Sequence, residues 1–495
     1  MILEGLLTVF SAQGLFFLLS GGVIGLIIGI LPGLGPAFGV ALMLPFTFWI
    51  PAHYALIFLG SLYSCCVYGG SITAVLLGIP GTVGSITTCF DGYPLSQQGK
   101  AGVALGLSAT SSLIGGLIGV AFLAGLTPYL AKFALKIGPA EYFMLAMFGL
   151  SMVAVTAKGD TLRGLLMGCV GILVSTIGMS PITGESRATL QNVYLEGGIP
   201  FVPVSVGLFA LSQALILAKQ GGMIAKAGKV AAGFWEGAWE TIKKPFVVLR
   251  HAVLGTGIGV IPGVGVNIAN FMAYLIEERI SGKRANPPFG KGQYRGVIAP
   301  ETANNACVSG ELIPAFAFGI PGGSTAAIFL AALTIHKLRP GLDFFQSGGS
   351  AAMALIWGMF FAQFLFFIMG ALGVNLFARV TRLKNSFLVP AIVLLCYVGS
   401  YAYRGYTEDV IVMTVAGLLG YLMHKYSYPI ACFILGMVLG PMAETNFHRA
   451  MIISDGSYWI FIKTPIAAAL FIISILAMAY GILPWERLIK RKSKV

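Results

Sequence analysis

Apolar runs broken by Gly, Pro and isolated polar residues fill most of the chain. Runs near 102–127, 140–157, 161–180, 199–218, 350–378, 386–403, 408–424, 428–443 and 464–483 predict helices that cross a hydrocarbon core of ~30 Å. Other stretches interrupt that pattern. The run 14–50 breaks at Leu31-Pro32-Gly33, where proline removes a backbone donor, so a helix is expected to unwind and restart near Pro36. A second broken helix is expected at about 252–278. Residues 54–68 form an apolar run ending at Tyr68-Gly69-Gly70. Ser71–Phe90 then sets two short pieces around Ile79-Pro80-Gly81, each too short to span, which predicts a re-entrant hairpin or broken helix. Asp91–Lys100 reads as a polar turn, and Ala299–Leu333 repeats the hairpin with Ile320-Pro321-Gly322 at its tip.

The interruptions come in pairs. Gly25–Pro36 reads GLIIGILPGLGP and Gly255–Val266 reads GTGIGVIPGVGV, with six of twelve positions identical at an offset of 230. GIPG follows at Gly78–Gly81 and again at Gly319–Gly322, at an offset of 241. Taken singly, a Pro-Gly kink is ordinarily a bend, and the GxxxG spacing of Gly25/Gly29 and Gly255/Gly259 ordinarily means close helix packing. Two different breaks at matched offsets predict instead two repeats whose discontinuous helices meet at a shared site.

Composition then fixes the solvent. The chain is 57% hydrophobic and 10% charged, where a soluble domain carries about 25% charge, so the expected fold is an all-α polytopic membrane protein. Alternating β-barrel segments do not dominate. The net charge of +13 is read as topology, because the basic residues sit singly or in loops without interleaved aromatics, which argues against nucleic-acid binding. Lys100 is the first basic residue, whereas Lys219, Lys226, Lys229, Lys243, Lys244 and Arg250 precede the second motif set together with Trp235 and Trp239. The two halves are therefore expected to enter from opposite faces, as inverted-topology repeats. A first transmembrane repeat at 1–218, a basic cytoplasmic or interfacial linker at 219–250, a second repeat at 251–483 and a basic cytoplasmic tail at 484–495 follow from this reading. The N-terminus lacks the basic region and cleavage site of a removable signal peptide. The seven cysteines and five histidines show no ligand spacing and read as packing residues, with no metal or cofactor expected. No GxxxxGK[ST], HExxH or GxSxG is present, so no enzymatic activity is expected.

A helix restarting in mid-membrane offers free N–H donors to an anion, and the half-helix ending there offers carbonyls to sodium. The candidate substrate residues are Pro32, Gly33, Gly35, Gly81, Thr82, Ser85, Pro262, Gly263, Gly265, Gly322, Gly323, Ser324 and Thr325. The hydroxyls among them are equally suited to N-capping. Candidate sodium ligands are Gly78, Ile79, Asn304, Asn305, Gly319 and Ile320, the two amides being equally suited to interhelical hydrogen bonds. Glu301, next to Pro300, is expected at a membrane edge, and Glu311 at membrane depth, where a carboxylate is expensive. Both leave a proton or sodium role open.

At these motifs the chain resembles the large membrane subunit of the bacterial tripartite tricarboxylate transporters. The residues that carry the resemblance are GILPGLGP at Gly29–Pro36, YGGSITAVLLGIPGT at Tyr68–Thr82 and DGYPLSQQGKAGVALG at Asp91–Gly106. In the second half they are GVIPGVG at Gly259–Gly265, APETANNA at Ala299–Ala306 and GIPGGSTAA at Gly319–Ala327. Glu311 stands where a small residue is expected. The resemblance implies a small four-helix membrane subunit and a soluble periplasmic binding protein as partners. It also implies a carboxylate substrate, coupling to sodium or protons, residence in the bacterial inner membrane, and an elevator-type layout. An anion channel or a structural membrane scaffold is the alternative, and saturable gradient-coupled uptake separates the two.

Overall fold

The computed structural model describes residues 2–156, 161–220, 233–282, 285–346, 348–377 and 385–482. The described chain is helical nearly throughout, apart from a small antiparallel ribbon of Gly178–Met179 with Ser186–Arg187. Helix α1 (Ile2–Phe10) gives way to α2 (Ala12–Ile30) at Ser11, whose hydroxyl accepts the Gly14 N–H at 3.0 Å and caps α2. After the Pro32 break the chain restarts as α3 (Pro36–Met43) and tightens into a 3-10 turn at Leu44–Trp49. Then come α4 (Ala52–Leu77), a 3-10 turn at Val83–Ser85, α5 (Thr88–Gln97), α6 (Ala101–Ala134), α7 (Pro139–Thr156) and α8 (Thr161–Ser175). Short α9 (Val193–Glu196) and α10 (Phe201–Ser205) lead through a π-helical turn at Val206–Leu211 into α11 (Ser212–Gln220). Next are α12 (Phe234–Ile242), α13 (Pro245–Gly259) and α14 (Gly265–Ser281), then α15 (Tyr294–Phe318) and α16 (Ser324–Ile335). The chain closes with α17 (Leu342–Gln346), α18 (Gly349–Phe377), α19 (Asn385–Arg404), α20 (Thr407–Lys425), α21 (Ile430–Ile453), α22 (Ile460–Lys463) and α23 (Pro465–Ile482).

Among the described residues, seven helical stretches are long and apolar enough to cross a membrane: Ala12–Ile30, Ala52–Leu77, Ala101–Ala134, Phe201–Lys219, Gly349–Gly373, Ser386–Arg404 and Ile430–Ile453. The chain is a multi-pass membrane protein. The basic tail and Lys226, Lys229, Lys283 and Arg284 lie outside the described residues. Of the linker, α12 is described; it packs on α6 through Gly237 and Gly106, while Trp235 and Trp239 on it are exposed.

The structure corrects some sequence boundaries. Residues 54–68 do not end at Gly69-Gly70, because α4 runs unbroken to Leu77. Those glycines are tolerated inside the helix because Gly69 lies against the backbone of α2 at Gly29, where a Cβ would come within 3.1 Å of the Gly29 Cα. The stretch from Asp91 is likewise no polar turn. It lies mostly in α5, and the buried Asp91 carboxylate accepts the N–H groups of Gly292 (2.9 Å) and Gln293 (2.7 Å) and the Tyr274 hydroxyl (2.9 Å). Three donors compensate a carboxylate removed from water. The span expected at 428–443 is the start of a longer helix, α21, which carries Pro441 inside it.

The chain forms two compact units. The first comprises Met1–Ala131, Val202–Ile261 and Gly265–Tyr421; the second comprises Lys132–Phe201, Pro262–Val264 and the chain from Leu422 onward. In the first unit α2 packs on α4, and α13 packs on α15 in the same manner. Gly25 and Gly29 lie against the carbonyls of Leu62 and Cys66, while Gly255 and Gly259 lie against those of Ala303 and Cys307. Any side chain there would separate the backbones, so the GxxxG spacing does serve close packing. In the second unit α21 packs on α7 and α8, with Gly171 against the Phe433 carbonyl and Gly436 against that of Gly168. Phe143, Phe447 and Phe461 pack there at centroid distances of 4.8–5.4 Å, Phe447 and Phe461 stacked face to face.

Candidate functional site

The first break is held open by backbone geometry. Gly33 takes a left-handed φ of +86°, which only glycine adopts without strain, and its N–H donates to the Gly81 carbonyl at 3.2 Å. The break is thus tied to the tip of the hairpin that follows α4. Gly81 in turn donates its N–H to Gly70 at 3.2 Å. Beyond the break, Gly35 precedes Pro36 at the first turn of α3, and a Cβ built on Gly35 would meet nothing within 4 Å. Proline at this position lacks only a donor the helix does not use, so α3 starts cleanly and presents its remaining first-turn N–H groups. Beside Gly33 lies Gln213, whose amide nitrogen would be 2.6 Å from a Cβ there. Gln213 follows the π-helical turn, a local irregularity that frequently accompanies functional positions.

The second break is built on the same plan and filled differently. Gly265 begins α14 with φ +66°, and the Val266 N–H donates to Glu311 Oε1 at 3.1 Å. Glu311 Oε2 accepts the Tyr63 hydroxyl at 2.9 Å. The Gly322 N–H donates to the Glu311 carbonyl at 3.2 Å, and a Cβ on Gly323 would fall 2.6 Å from the Glu311 carboxyl carbon. A carboxylate from α15 therefore sits on the N-terminus of α14, where the helix dipole favours negative charge.

The hairpins cross. The 3-10 turn after the first tip packs on α14, and α16, after the second tip, packs on α3. At the first crossing, Asn270 of α14 donates its amide to the Gly84 carbonyl, and Asn304 of α15 points its amide oxygen at the same glycine, 2.5 Å from where a Cβ would stand. Asn304 and Asn305 are buried, and neither amide has a partner at its oxygen or its nitrogen. Buried amides without partners are uncommon in folded proteins. One turn earlier on α15, Glu301 is fully buried and accepts the hydroxyls of Thr88, Ser108 (3.0 Å) and Ser112 (2.8 Å). Glu301, expected at a membrane edge beside Pro300, is no solvated group: its carboxylate lies in the protein core, surrounded by hydroxyls from α5 and α6.

A family model described as the tripartite tricarboxylate transporter TctA family matches residues 15–435. The chain belongs to that family. It is 34% identical over 445 residues to the uncharacterized 52.8 kDa protein in the TAR-I ttuC' 3'region of Agrobacterium vitis, covering 90% of this chain and 88% of that one. It is 33% identical over 230 residues to the uncharacterized protein in the TAR-II ttuC' 3'region of the same organism, covering 46% of this chain and 94% of the relative. No solved structure matches. TctA is a transport family, not an enzymatic one.

In this TctA-family chain the candidate residues sort by what already holds them. Pro32, Gly33 and Gly35 form the first break. Thr82 and Ser85 are buried and bond each other, hydroxyl to hydroxyl at 3.1 Å, in a capping box around the 3-10 turn. Pro262 and Gly263 lie between α13 and α14, with Gly263 at φ +77°. Gly322 and Gly323 pack on Glu311; Ser324 opens α16, which has no side-chain cap, and Thr325 faces the Tyr63 hydroxyl. Gly78 and Gly319 are left-handed C-caps of α4 and α15, with their N–H groups on Ala74 and Ala315. Ile79 is exposed, and Ile320 is buried with its N–H on Pro314. Sequence reading did not single out Tyr63, Gly84, Gln213 and Asn270. A lone Asn or Gln among apolar residues was the available signal for two of them.

Proposed function

We propose that the chain is the large transmembrane subunit of a binding-protein-dependent secondary transporter that imports organic carboxylates of the tricarboxylate or dicarboxylate type. The driving force is a sodium or proton gradient. The subunit works in the bacterial inner membrane, C-terminus in the cytoplasm, with a small four-helix membrane subunit and a periplasmic substrate-binding protein. Its two inverted-topology repeats alternate access by an elevator-type movement of the hairpin bundle.

The observation that carries this reading is the first break. Its α3 N-terminus has open space at Gly35 and the Gln213 amide beside Gly33. A substrate carboxylate seated there accepts N–H groups and the helix dipole without a buried Lys or Arg. Family membership supports the substrate class, and the crossed packing of each hairpin on the other half's broken helix supports a site shared between repeats.

The test is uptake of radiolabelled citrate and shorter carboxylates into proteoliposomes that hold this chain with its small membrane subunit and added binding protein. Saturable uptake that needs both the ion gradient and the binding protein supports the carrier. Unsaturable flux that ignores the gradient contradicts it and identifies a channel.

A further inference from the structure

We propose that Glu301 is the centre of a monovalent-cation site, of sodium type, formed with the hydroxyls of Ser71, Thr88, Ser108 and Ser112. Its place in transport rests on the carrier reading above; its existence as a binding site does not.

The donor set is all oxygen and comes from four elements: Ser71 of α4, Thr88 of α5, Ser108 and Ser112 of α6, and Glu301 of α15. All five residues are fully buried. Glu301 Oε2 accepts Ser108 at 3.0 Å and Ser112 at 2.8 Å, and Oε1 accepts Thr88. Ser71 faces the same carboxylate and adds a fourth buried hydroxyl oxygen to its surroundings. Among the described residues no Lys, Arg or His pairs with this carboxylate. The hydroxyl donors ease the burial of this carboxylate but leave its charge without a counter-ion.

The chemistry selects the ligand. Hard cations take carboxylate and hydroxyl oxygens, and the described residues hold no cluster of His, Cys, Asp and Glu of the kind a transition metal needs. One carboxylate against one unit charge gives a neutral filled site. A divalent ion would bring uncompensated positive charge into the core, and calcium and magnesium sites ordinarily carry more carboxylates.

The site also has a direct mechanical reach. Thr88 lies four residues beyond Gly84, at the start of α5, and Glu301 lies three residues before Asn304, about one turn of α15 away. A cation that draws Thr88 and Glu301 together therefore fixes the Gly84–Asn270–Asn304 junction between the first hairpin and α14. Ion binding then sets the geometry of the crossing beside the second break.

The experiment is thermal melting of the purified full-length chain in lipid nanodiscs. It compares choline, sodium, potassium, magnesium and calcium chlorides at fixed pH and ionic strength. Ligand that binds the folded state alone raises the melting temperature in a saturable way. The expected result is a sodium-dependent rise in the wild type that disappears in Glu301→Gln. In Ser112→Ala the sodium concentration for half effect should move up by about tenfold, the scale of losing one supporting contact at an ion site. Ser400→Ala, a buried serine on α19, should respond as the wild type does. If Glu301→Gln does not fold, Ser112→Ala and Thr88→Val carry the test. An undiminished sodium response in Glu301→Gln, no sodium response in the wild type, or a response to divalent ions only overturns the proposal. Sodium-driven uptake that survives Glu301→Gln would likewise remove this site and leave the carrier standing. Glu301-dependent sodium binding without gradient-driven uptake would keep the site and remove the carrier.

Discussion

At each hairpin tip a glycine donates its N–H over 3.2 Å to the residue eleven positions earlier: Gly81 to Gly70, and Gly322 to Glu311. Each tip glycine also lies against the carbonyl of the broken helix in its own half, Gly29 in the first and Gly259 in the second. The frames match, and the side chains have traded places. In the first half the small residue is on the long helix at Gly70, and the space above it holds the Thr82 and Ser85 hydroxyls, with Ser85 Oγ 2.8 Å from a Cβ at Gly70. In the second half the large residue is on the long helix at Glu311, and the glycine is at the tip, Gly323. One frame thus yields two kinds of helix N-terminus. That of α14 carries the chain's own carboxylate, and that of α3 carries none and has open space at Gly35.

The harshest way to break this comparison is to impose the second half's side chain on the first. Gly70→Glu drives a carboxylate into the Thr82 backbone and both hydroxyls. We expect a loss of about 3 kcal/mol or more in an SDS-unfolding titration, the scale of severe overpacking. Adding Thr82→Gly should recover part of it, and no recovery would show that the trade of bulk is incidental. The reverse change, Glu311→Gly, leaves the Tyr63 hydroxyl and Val266 N–H without their acceptor and should destabilise by ~1–3 kcal/mol per orphaned group. Equal stability to the wild type would mean that water replaces the carboxylate without loss. Gln213→Ala sharpens the picture at the first break: stability should change by no more than about 0.5 kcal/mol, as for a half-exposed side chain. The KM for carboxylate uptake should rise if the amide contacts substrate.

The smallest effect lies away from both breaks, at Glu240. Lys243 and Lys244 hold its carboxyl down to about 2, at distances of 2.8 and 2.7 Å. Because the folded value is depressed, the contribution is complete above the unfolded value of about 4.3 and fades as pH falls toward 2. Exposed helix pairs of this kind contribute ~0.3–0.5 kcal/mol, so Glu240→Gln should lower stability by that amount at pH 7 and by nothing near pH 2.

Much of the fold was legible because membrane helices announce themselves by length and apolarity, and α6, α18 and α19 fall close to the runs that predicted them. The Pro-Gly breaks were legible for the same reason that they form: proline removes a donor that lipid cannot replace. What sequence could not supply was which polar group meets which. Gly69 and Gly70 read as an end to their helix, and only the approach of α2 to Gly69 and of Thr82 and Ser85 to Gly70 explains why α4 passes through them. Asp91 read as part of a solvated turn, because its three donors lie some two hundred residues away. Glu301 read as an edge residue beside Pro300, since its hydroxyl partners belong to α5 and α6. Glu311 was visible as an anomaly, but its acceptor role at Val266 depends on a fold that brings α14 to α15.

The most direct test of the open first break is to fill it. Gly35→Leu places a side chain where nothing lies within 4 Å of the new Cβ, so the chain should fold with an unchanged melting temperature. Carboxylate uptake into proteoliposomes with the partner subunits is the measurement. Saturable uptake should be lost in Gly35→Leu while the protein stays folded. Wild-type uptake by that variant would contradict an anion seated at the start of α3.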